Sequence, residues 1–288
     1  MSGASSTWSL TRRPCALYHV SYTRALFDLA IVAIIPARFG STRLPGKPLS
    51  DIQGRPMVQW VHERVRRAAL VDRVLVATDD ERIAEAVARF GGEAVMTSRD
   101  HATGTDRLAE AARDLDAEIV VNVQGDEPML DPRHIDAAVR PLLDDPELPM
   151  ATVSLPLLRL EEMLSPAVVK VVADARGNAL YFSRSPIPLV RDGGPPDLAA
   201  AAERALRAGL ARKHVGLYVY RRDALLRLTT LPAAPLERAE GLEQLRALHH
   251  GLTIRVVPCA GESARAVDTP EDLEAVRALL TPSGDVVR

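Results

Sequence analysis

The apolar residues in the first half of the chain follow two alternating patterns. Residues 31–37, IVAIIPA, form a continuous apolar run that is typical of a strand buried on both faces of a parallel sheet. Residues 117–128, AEIVVNVQGDEP, contain a second such run, whereas residues 57–70 place apolar side chains at helical spacing. Strands and helices alternate in this way up to about residue 130. The order predicts a doubly wound α/β fold with a mostly parallel sheet.

Beyond about residue 150 the patterns change. Short segments such as GLYVYRR, residues 216–222, have the period of two that is expected of antiparallel strands. Residues 236–251 predict one helix that ends at Gly251. Residues 269–280 predict another helix, with Thr269 as its N-cap.

These patterns predict how the chain is divided. We expect a single α/β domain over residues 31–280, with a β-rich lobe inserted at about residues 150–235. Residues 1–30 are rich in Arg, Ser and Thr and lack an apolar signal core, so we expect a disordered leader. Residues 281–288 are expected to be a short tail.

Composition narrows the class of protein without identifying a function. The 288 residues are 47% hydrophobic and 26% charged, and 36 Lys and Arg against 38 Asp and Glu give a net charge of −2. A nearly neutral chain argues against a nucleic acid or an anionic membrane as the partner. The sequence contains no run of about 18 apolar residues, which argues against a membrane-spanning helix. The two cysteines, Cys15 and Cys259, are too few for a disulfide framework and fit a reducing cytoplasm.

A loop rich in Gly, Pro and cationic residues follows the first predicted strand. Residues 36–48, PARFGSTRLPGKP, place Arg38, Arg43 and Lys47 within ten positions. In an open α/β sheet, ligands bind beyond the carboxyl ends of the strands, where this loop must lie. The three cations therefore predict a cradle for a polyphosphate, and a solvated basic turn is the alternative. The spacing matches neither the GxxxxGK[ST] loop nor the GxGxxG loop.

Candidate metal-binding carboxylates lie next to two other predicted elements. Asp126 and Glu127 come directly after the apolar strand that ends near Val123, and Asp268 precedes the last predicted helix. Oxygen ligands are what Mg²⁺ prefers, and one or two carboxylates suffice when a substrate supplies phosphate oxygens. For Asp268, the residues alone leave two equal alternatives, which are metal binding, and helix capping or compensation of the helix dipole.

Five motifs, taken together, resemble one enzyme family. They are PARFGSTRLPGKPL, GTDRLAE, VNVQGDEP, YFSR and VDTPEDL, and they are spread over about residues 31–280. They resemble the sugar-acid cytidylyltransferases, and among these the 3-deoxy-manno-octulosonate cytidylyltransferase (CMP-Kdo synthetase) family. The resemblance implies a Rossmann-like nucleotidyltransferase fold whose inserted lobe serves sugar binding and dimerisation.

The resemblance also implies a reaction and its setting. A member of this family would transfer CMP from CTP to the anomeric hydroxyl of 3-deoxy-D-manno-octulosonate (Kdo), giving CMP-Kdo and pyrophosphate for lipopolysaccharide biosynthesis. The hydroxyl attacks the α-phosphate directly, so no nucleophilic Ser or Cys is needed. The resemblance further implies Mg²⁺ as the cofactor, a homodimer and a cytoplasmic location.

Residue roles are carried over from the family by motif. Catalytic roles are implied for Arg38, Arg43, Lys47 and Asp126, and metal binding for Asp126 and Asp268, with Glu127 less certain. Nucleotide binding is implied for Pro36, Arg38, Ser41, Arg43, Lys47, Thr78, Arg107 and Gln124. Sugar binding is implied for Gln124, Arg184, His214, Tyr218, Glu240 and Gln244, and the family also places Glu237 and Glu243 beside the sugar lobe.

Alternatives remain for several of these residues and for the substrate. His214 could lie on the surface, Tyr218 could be a core aromatic residue, and Glu240 could lie on a solvated helix face. The chain departs from the family pattern at LERAE, where LEHIE is commoner, and SRSPIPLVRD lacks the usual Trp. An 8-amino form of Kdo or a nine-carbon sialic-type acid therefore stays open as the sugar, and a non-catalytic nucleotide-binding protein is the alternative to an enzyme.

Overall fold

The structure is a computed structural model, and it describes residues 30–40, 43–101, 103–191, 197–261 and 265–281. The predictions for the leader, apart from residue 30, and for the tail beyond residue 281 lie outside the described residues. The prediction for Ser41 lies outside them as well.

Eleven strands and ten α-helices are present in the described ranges. The strands are β1 (Ile31–Ala37), β2 (Asp51–Ile52), β3 (Arg55–Pro56), β4 (Arg73–Thr78), β5 (Glu93–Met96), β6 (Ile119–Asn122), β7 (Met150–Pro156), β8 (Lys170–Ala173), β9 (Ala179–Ser183), β10 (Arg212–Arg221) and β11 (Ile254–Pro258). The helices are α1 (Met57–Val65), α2 (Glu81–Arg89), α3 (Gly104–Arg113), α4 (Pro132–Asp144), α5 (Leu160–Leu164), α6 (Leu198–Arg207), α7 (Arg222–Thr230), α8 (Pro235–Glu240), α9 (Gln244–His249) and α10 (Pro270–Leu279).

The central sheet is mostly parallel, as the alternating patterns predict. Its strand order is β11-β7-β10-β6-β1-β4-β5. The strands β6, β1, β4 and β5 are parallel to one another, and β11 is parallel to β7. The strand β10 runs antiparallel to both of its neighbours, β6 and β7. The carboxyl ends of β1, β4 and β6 therefore meet at one edge of the sheet.

The apolar runs form strands because the sheet is covered on both faces. Alternate residues of β1 enter opposite layers: Ile35 packs in the same cluster as Val58 and Val139 of α1 and α4. Its neighbour Ile34 packs with Leu108 of α3 on the other face. Each such side chain that is removed from water contributes about 1.5–3 kcal/mol, which accounts for the uninterrupted apolar sequence.

The segment 150–235, predicted as an inserted lobe, is divided between the sheet and its flank. Two of its strands, β7 and β10, belong to the central sheet. The β8–β9 hairpin is joined to the start of β10 through the pairing of Lys170 with Lys213. Beside it, α5 and α6 pack around Met163 and Ala205. This flanking part forms one wall of a cavity described below.

The single helix predicted over residues 236–251 is wrong. The structure has two helices there, α8 and α9, because Gly241 takes a left-handed conformation with φ of 62°. A helix ends where a residue takes this conformation, and Gly takes it without steric cost. The predicted end at Gly251 is confirmed, since that residue, also left-handed, follows α9 and the turn at His250. The predicted N-cap Thr269 of α10 is confirmed by the hydrogen bond its hydroxyl accepts from Asp272 N.

Candidate active site

The cationic loop after β1 folds back on itself. The amide N–H of Gly46 donates to the carbonyl of Phe39 at 3.1 Å, and Gly46 has a left-handed φ of 70°. The Phe39 ring packs against Gly46. On the same ring, the Arg82 guanidinium makes a cation–π contact, with its central carbon 3.4 Å from the ring centroid. This closure brings the two ends of the loop together at the carboxyl edge of the sheet.

The loop forms one side of a cavity of about 390 Å³, which we call the smaller cavity. Its cationic lining residues are Arg38, Arg43, Lys47 and Arg107. The remaining predicted residues that line it are Pro36, Gln124, Asp126, Glu243 and Asp268. The structure therefore brings together the four cations that the sequence assigned to a nucleotide.

Asp126 and Asp268, which are far apart in the sequence, converge on Lys47. The Lys47 ammonium donates to Oδ2 of Asp126 at 2.6 Å and to Oδ1 of Asp268 at 3.2 Å. Arg43 also contacts Oδ1 of Asp268 at 3.2 Å. The two segments are joined through the main chain as well, because Val267 N donates to Asp126 O at 2.9 Å.

A close main-chain approach positions the loop that carries Asp126. A Cβ atom at Gly125 would lie 2.8 Å from the carbonyl oxygen of Pro36, which leaves room for glycine only. The strand pairing continues into this loop, since Val123 N donates to Ile34 O at 3.2 Å. Gln124 and Asp126 are therefore held directly beside the end of β1.

The helix-capping alternative for Asp268 is wrong. The N-cap of α10 is Thr269, and a reciprocal capping box joins it to Asp272. The Asp272 carboxylate also accepts the amide N–H of Asp268 at 3.2 Å. The Asp268 carboxylate does not cap the helix and forms ion pairs with Lys47 and Arg43.

The donor set at this point fits Mg²⁺. Two carboxylates face one position, which the Lys47 ammonium occupies as a positive charge. The described residues hold no group of three or more His, Cys, Asp or Glu side chains that could bind a metal. A site with two carboxylates and open positions suits Mg²⁺, because this ion retains waters and substrate phosphate oxygens.

Glu127, the less certain ligand, is directed elsewhere. It lines the second, larger cavity and is absent from the lining of the smaller one. Burial raises the pKa of Glu127 to about 8, and the charge of Asp126 adds to this rise.

Arg107 connects the smaller cavity to the end of β4. This buried guanidinium donates to Oδ2 of Asp79 at 2.7 Å and to the hydroxyl of Thr97. The Thr97 hydroxyl in turn donates to the carbonyl of Thr78 at 3.0 Å. Thr78, predicted to bind the nucleotide, is fully buried and supports the wall behind Arg107 instead of lining the cavity.

The larger cavity, of about 620 Å³, opens beside the smaller one. Both are lined by Thr103, Gln124, Glu243 and Asp268, which we call the junction. Five predicted sugar-binding residues line the larger cavity: Gln124, Arg184, His214, Tyr218 and Gln244. The structure thus places the predicted nucleotide and sugar residues in two adjoining spaces.

His214 and Tyr218 lie on the β10 wall of this cavity. The His214 ring packs against Phe182 and Tyr218, and its Nε2 lies 3.0 Å from the Thr152 hydroxyl. Burial lowers the pKa of His214 to about 3, so the ring is neutral at physiological pH. The Tyr218 hydroxyl is buried and has no hydrogen-bond partner among the described residues. His214 is therefore part of the cavity wall and not a surface residue, whereas Tyr218 is buried in the hydrophobic core, as its alternative stated.

Arg184 and Glu240 build the wall of the larger cavity. The Arg184 guanidinium donates to the carbonyls of Pro166 at 2.9 Å and Glu240 at 2.7 Å. The Glu240 carboxylate accepts from the Ser183 hydroxyl at 2.7 Å and from Arg184 N at 2.9 Å. Glu240 is not among the residues that line the larger cavity, and its carboxylate faces Ser183 and the Arg184 amide instead of a solvated helix face.

The neighbouring glutamates have different environments. Glu243 lies at the junction, where it accepts a hydrogen bond from the Thr105 hydroxyl at 2.6 Å. Glu237 is buried and pairs with Arg246. Burial alone would raise the pKa of Glu237, but the hydrogen bonds from Arg246 and from the amide of Ala234, together with the charge of Arg246, lower it below its usual value.

Sequence reasoning missed an ion pair in the larger cavity. Lys213 and Glu162 both line it, and their side chains are 3.0 Å apart. Glu162 is also paired with Arg159 at 3.0 Å. Lys213 directly precedes His214 in the KHVGLYVY segment, so its position at the start of β10 was the available signal.

Comparison with known proteins agrees with this geometry. A family model described as cytidylyltransferase matches residues 32–254. The chain belongs to the cytidylyltransferase family. The 3-deoxy-manno-octulosonate cytidylyltransferase of Syntrophotalea carbinolica is 56% identical over 252 residues, which cover 88% of this chain and 99% of that protein. The enzyme of the same name from Geobacter sulfurreducens is 58% identical over 248 residues, or 85% of this chain and 97% of that protein.

Solved structures of cytidylyltransferases share the fold. CMP:2-keto-3-deoxy-manno-octonic acid synthetase, solved in complex with CTP, superposes with a TM-score of 0.79 at 48% identity, covering 87% of this chain and 98% of that one. A cytidylyltransferase from Leptospira borgpetersenii shares the fold alone, with a TM-score of 0.57 at 17% identity, over 89% of this chain and 90% of that one. The predicted Rossmann-like nucleotidyltransferase fold, the family and the enzyme class are confirmed. In the described ranges, no helix has the length and apolar character to cross a membrane.

Proposed function

We propose that this cytidylyltransferase transfers CMP from CTP to the anomeric hydroxyl of Kdo, giving CMP-Kdo and pyrophosphate for lipopolysaccharide biosynthesis. The observation that carries the proposal is the pair of adjoining cavities. One is lined by four cations, the other by neutral and charged hydrogen-bonding groups, and Gln124 and Asp268 belong to both. This arrangement suits a reaction that joins a triphosphate to a polyhydroxy acid.

The smaller cavity supplies the charge that a triphosphate needs. Arg38, Arg43 and Lys47 surround the space next to the end of β1. Guanidinium groups pair with phosphate oxygens through two parallel hydrogen bonds, whereas the ammonium acts as a point charge. When CTP enters, Lys47 can exchange its carboxylate partners for phosphate oxygens. These cations stabilise the negative charge that grows on the leaving pyrophosphate.

The larger cavity supplies the groups that a sugar acid needs. Arg184 and Lys213 provide positive charge for the carboxylate, and neutral His214 can bond to sugar hydroxyls. The anomeric hydroxyl would then reach the α-phosphate at the junction. Holding both reactants in adjoining spaces makes the attack effectively unimolecular, which is a large part of catalysis in such reactions.

We propose that Asp126 and Asp268 hold the Mg²⁺ ion. When bound, Mg²⁺ neutralises phosphate charge and lowers the pKa of the attacking hydroxyl. The support is the convergence of both carboxylates on one cationic position, 2.6 and 3.2 Å from the Lys47 nitrogen. Arg43 orients the Asp268 carboxylate from the side.

Pyrophosphate release tests the proposed function. The purified protein is incubated with CTP, Kdo and Mg²⁺, with each omitted in turn, and CMP-Kdo is identified by mass spectrometry. We expect release only with all three, loss of release with EDTA, and little release when UTP, ATP or GTP replaces CTP. A folded protein that makes no CMP-Kdo, or that prefers a nine-carbon or 8-amino sugar acid, would contradict the proposal.

We further propose that the enzyme is a cytoplasmic homodimer. Three leucines in or next to α5 and α6 in the sequence are more than half exposed, namely Leu158, Leu198 and Leu210. We place the interface between subunits at these helices, because such an interface covers exposed apolar side chains. Light scattering after gel filtration measures the mass, and a monomeric mass at micromolar concentration would contradict the dimer. Cell fractionation tests the location.

A further inference from the structure

Lysine is rare in this chain, and its three occurrences all lie in or next to the two cavities. The sequence contains 33 arginines but only Lys47, Lys170 and Lys213. Lys47 lines the smaller cavity and Lys213 the larger one, and Lys170 is buried next to the larger cavity. Every other Lys or Arg position carries arginine, and lysine differs from arginine in presenting its donors on a single nitrogen.

Lys170 is the fully buried member of this set. Its relative exposure is 0%, and its ammonium donates to three main-chain carbonyls. These are Ser165 O at 2.9 Å, Val168 O at 2.7 Å and Arg184 O at 2.5 Å. An ammonium has three N–H groups, so each of them has a partner.

The carbonyls that bind Lys170 belong to two segments of the cavity wall. Residues 165–168 follow α5, and Ala167 and Val168 line the larger cavity. Arg184 follows β9 and lines the same cavity. Arg184 also donates back to Pro166 O at 2.9 Å, so the segment 165–168 is held from both sides. Through Glu240 and Gly241, Arg184 further contacts the turn between α8 and α9.

We propose that Lys170 is a positioning residue for the sugar-acid half of the reaction. Its ammonium fixes the main chain of residues 165–168 against Arg184 and thereby sets the shape of the larger cavity. The proposal rests on the proposed function, because it takes the ligand of this cavity to be the sugar acid. Lys170 itself does not line the cavity and acts through the segments that it joins.

The geometry explains why arginine cannot replace this lysine. Three carbonyl oxygens surround a single nitrogen within 2.9 Å, which matches the tetrahedral ammonium. A guanidinium group is planar and spreads its donors over three nitrogens. In a fully buried position, the larger group would displace Val168 or Arg184.

Steady-state kinetics of Lys170→Met and Lys170→Arg test the proposal. We expect KM for Kdo to rise at least tenfold in both, while KM for CTP changes less than threefold. The matched control is Arg222→Met, because the Arg222 guanidinium also donates to main-chain carbonyls, those of Ala112 and Arg113, at the opposite edge of the sheet. That control should lose thermal stability and keep the KM for Kdo.

Hydrogen exchange gives a second measurement that does not depend on turnover. The amides of residue 165 and residues 167–169 should exchange faster in Lys170→Met than in the wild type, and Kdo should slow them in the wild type. Folded variants with an unchanged KM for Kdo would overturn the proposal. Failure of both variants to fold would also overturn it, because Lys170 would then be a folding residue. A wild type that makes no CMP-Kdo in the same assay would instead refute the proposed function.

Discussion

Replacement of Lys47 by Met removes the ammonium on which two carboxylates converge. In the structure this ammonium lies 2.6 Å from Asp126 Oδ2 and 3.2 Å from Asp268 Oδ1. A divalent cation that uses both carboxylates must displace it. The Lys47→Met variant should therefore bind Mg²⁺ or Mn²⁺ more tightly than the wild type when no nucleotide is present, although its turnover falls.

The size of this effect follows from the geometry and the exposure of the pair. At about 3 Å and an effective dielectric constant of about 20, Coulomb's law gives roughly 5 kcal/mol for one contact. The side chains are partly exposed, 16% for Lys47, 25% for Asp126 and 40% for Asp268, so solvent reduces this value strongly. Partly exposed pairs contribute about 0.2–1 kcal/mol each, and about 1.4 kcal/mol for both contacts corresponds to a tenfold change in affinity.

Titration of nucleotide-free protein with Mn²⁺, followed by electron paramagnetic resonance or calorimetry, measures the effect. We expect Lys47→Met to bind Mn²⁺ about tenfold more tightly and to lose about 10²–10³-fold in kcat, because a cation that stabilises the transition state is gone. The matched control is Lys213→Met, whose ammonium pairs with Glu162 in the larger cavity. Its Mn²⁺ affinity should match the wild type. Equal or weaker Mn²⁺ binding by Lys47→Met would show that the metal does not use these carboxylates.

Three further changes test other parts of the site. Gly125→Ala places a Cβ atom 2.8 Å from the Pro36 carbonyl; we expect a loss of about 1–3 kcal/mol in unfolding free energy and about 10²-fold in kcat, measured by urea denaturation and turnover. Asp126→Asn should keep the fold and lose at least about 10²-fold in kcat. The control is Asp223→Asn, which should keep full activity because the Asp223 side chain is 96% exposed. Burial lowers the pKa of His214 from 6.5 to about 3, so below pH 6.5 the unfolded state binds more protons and stability falls. The wild type should lose up to about 1.4 kcal/mol per pH unit, and urea denaturation of His214→Asn should show a smaller loss.

The sequence predicted those parts of the fold in which each strand or helix has its own pattern of apolar and polar residues. Strands such as β1 and β6 are covered on both faces, so nearly every residue in them is apolar. The cations after β1 and the acid after β6 could be placed together because the carboxyl ends of parallel strands meet at one edge. That rule places the two loops at one edge, whereas the ion pair between Lys47 and Asp126 was not predicted and is seen only in the structure.

The part that sequence could not predict depends on contacts with main-chain atoms. The roles of Arg184 and Lys170 are set by carbonyl groups, which every residue carries and no motif marks. Glu240 matched a family position, yet its carboxylate faces Ser183 and the Arg184 amide. The break at Gly241 was missed because the apolar spacing continues through it, and only the left-handed conformation reveals it.

The direction of β10 explains how both substrates reach one edge of the sheet. In the parallel strands, site residues follow the strand, as Asp126 follows β6. Because β10 runs antiparallel to β6, its first residues lie at that same edge, and these include Lys213 and His214. The pairing with β7 shifts register between Val215 and Tyr218, and bulges of this kind occur next to active sites. Gly216, at this bulge, lines the larger cavity next to Gln124, since a Cβ atom on it would lie 3.6 Å from the Gln124 side chain.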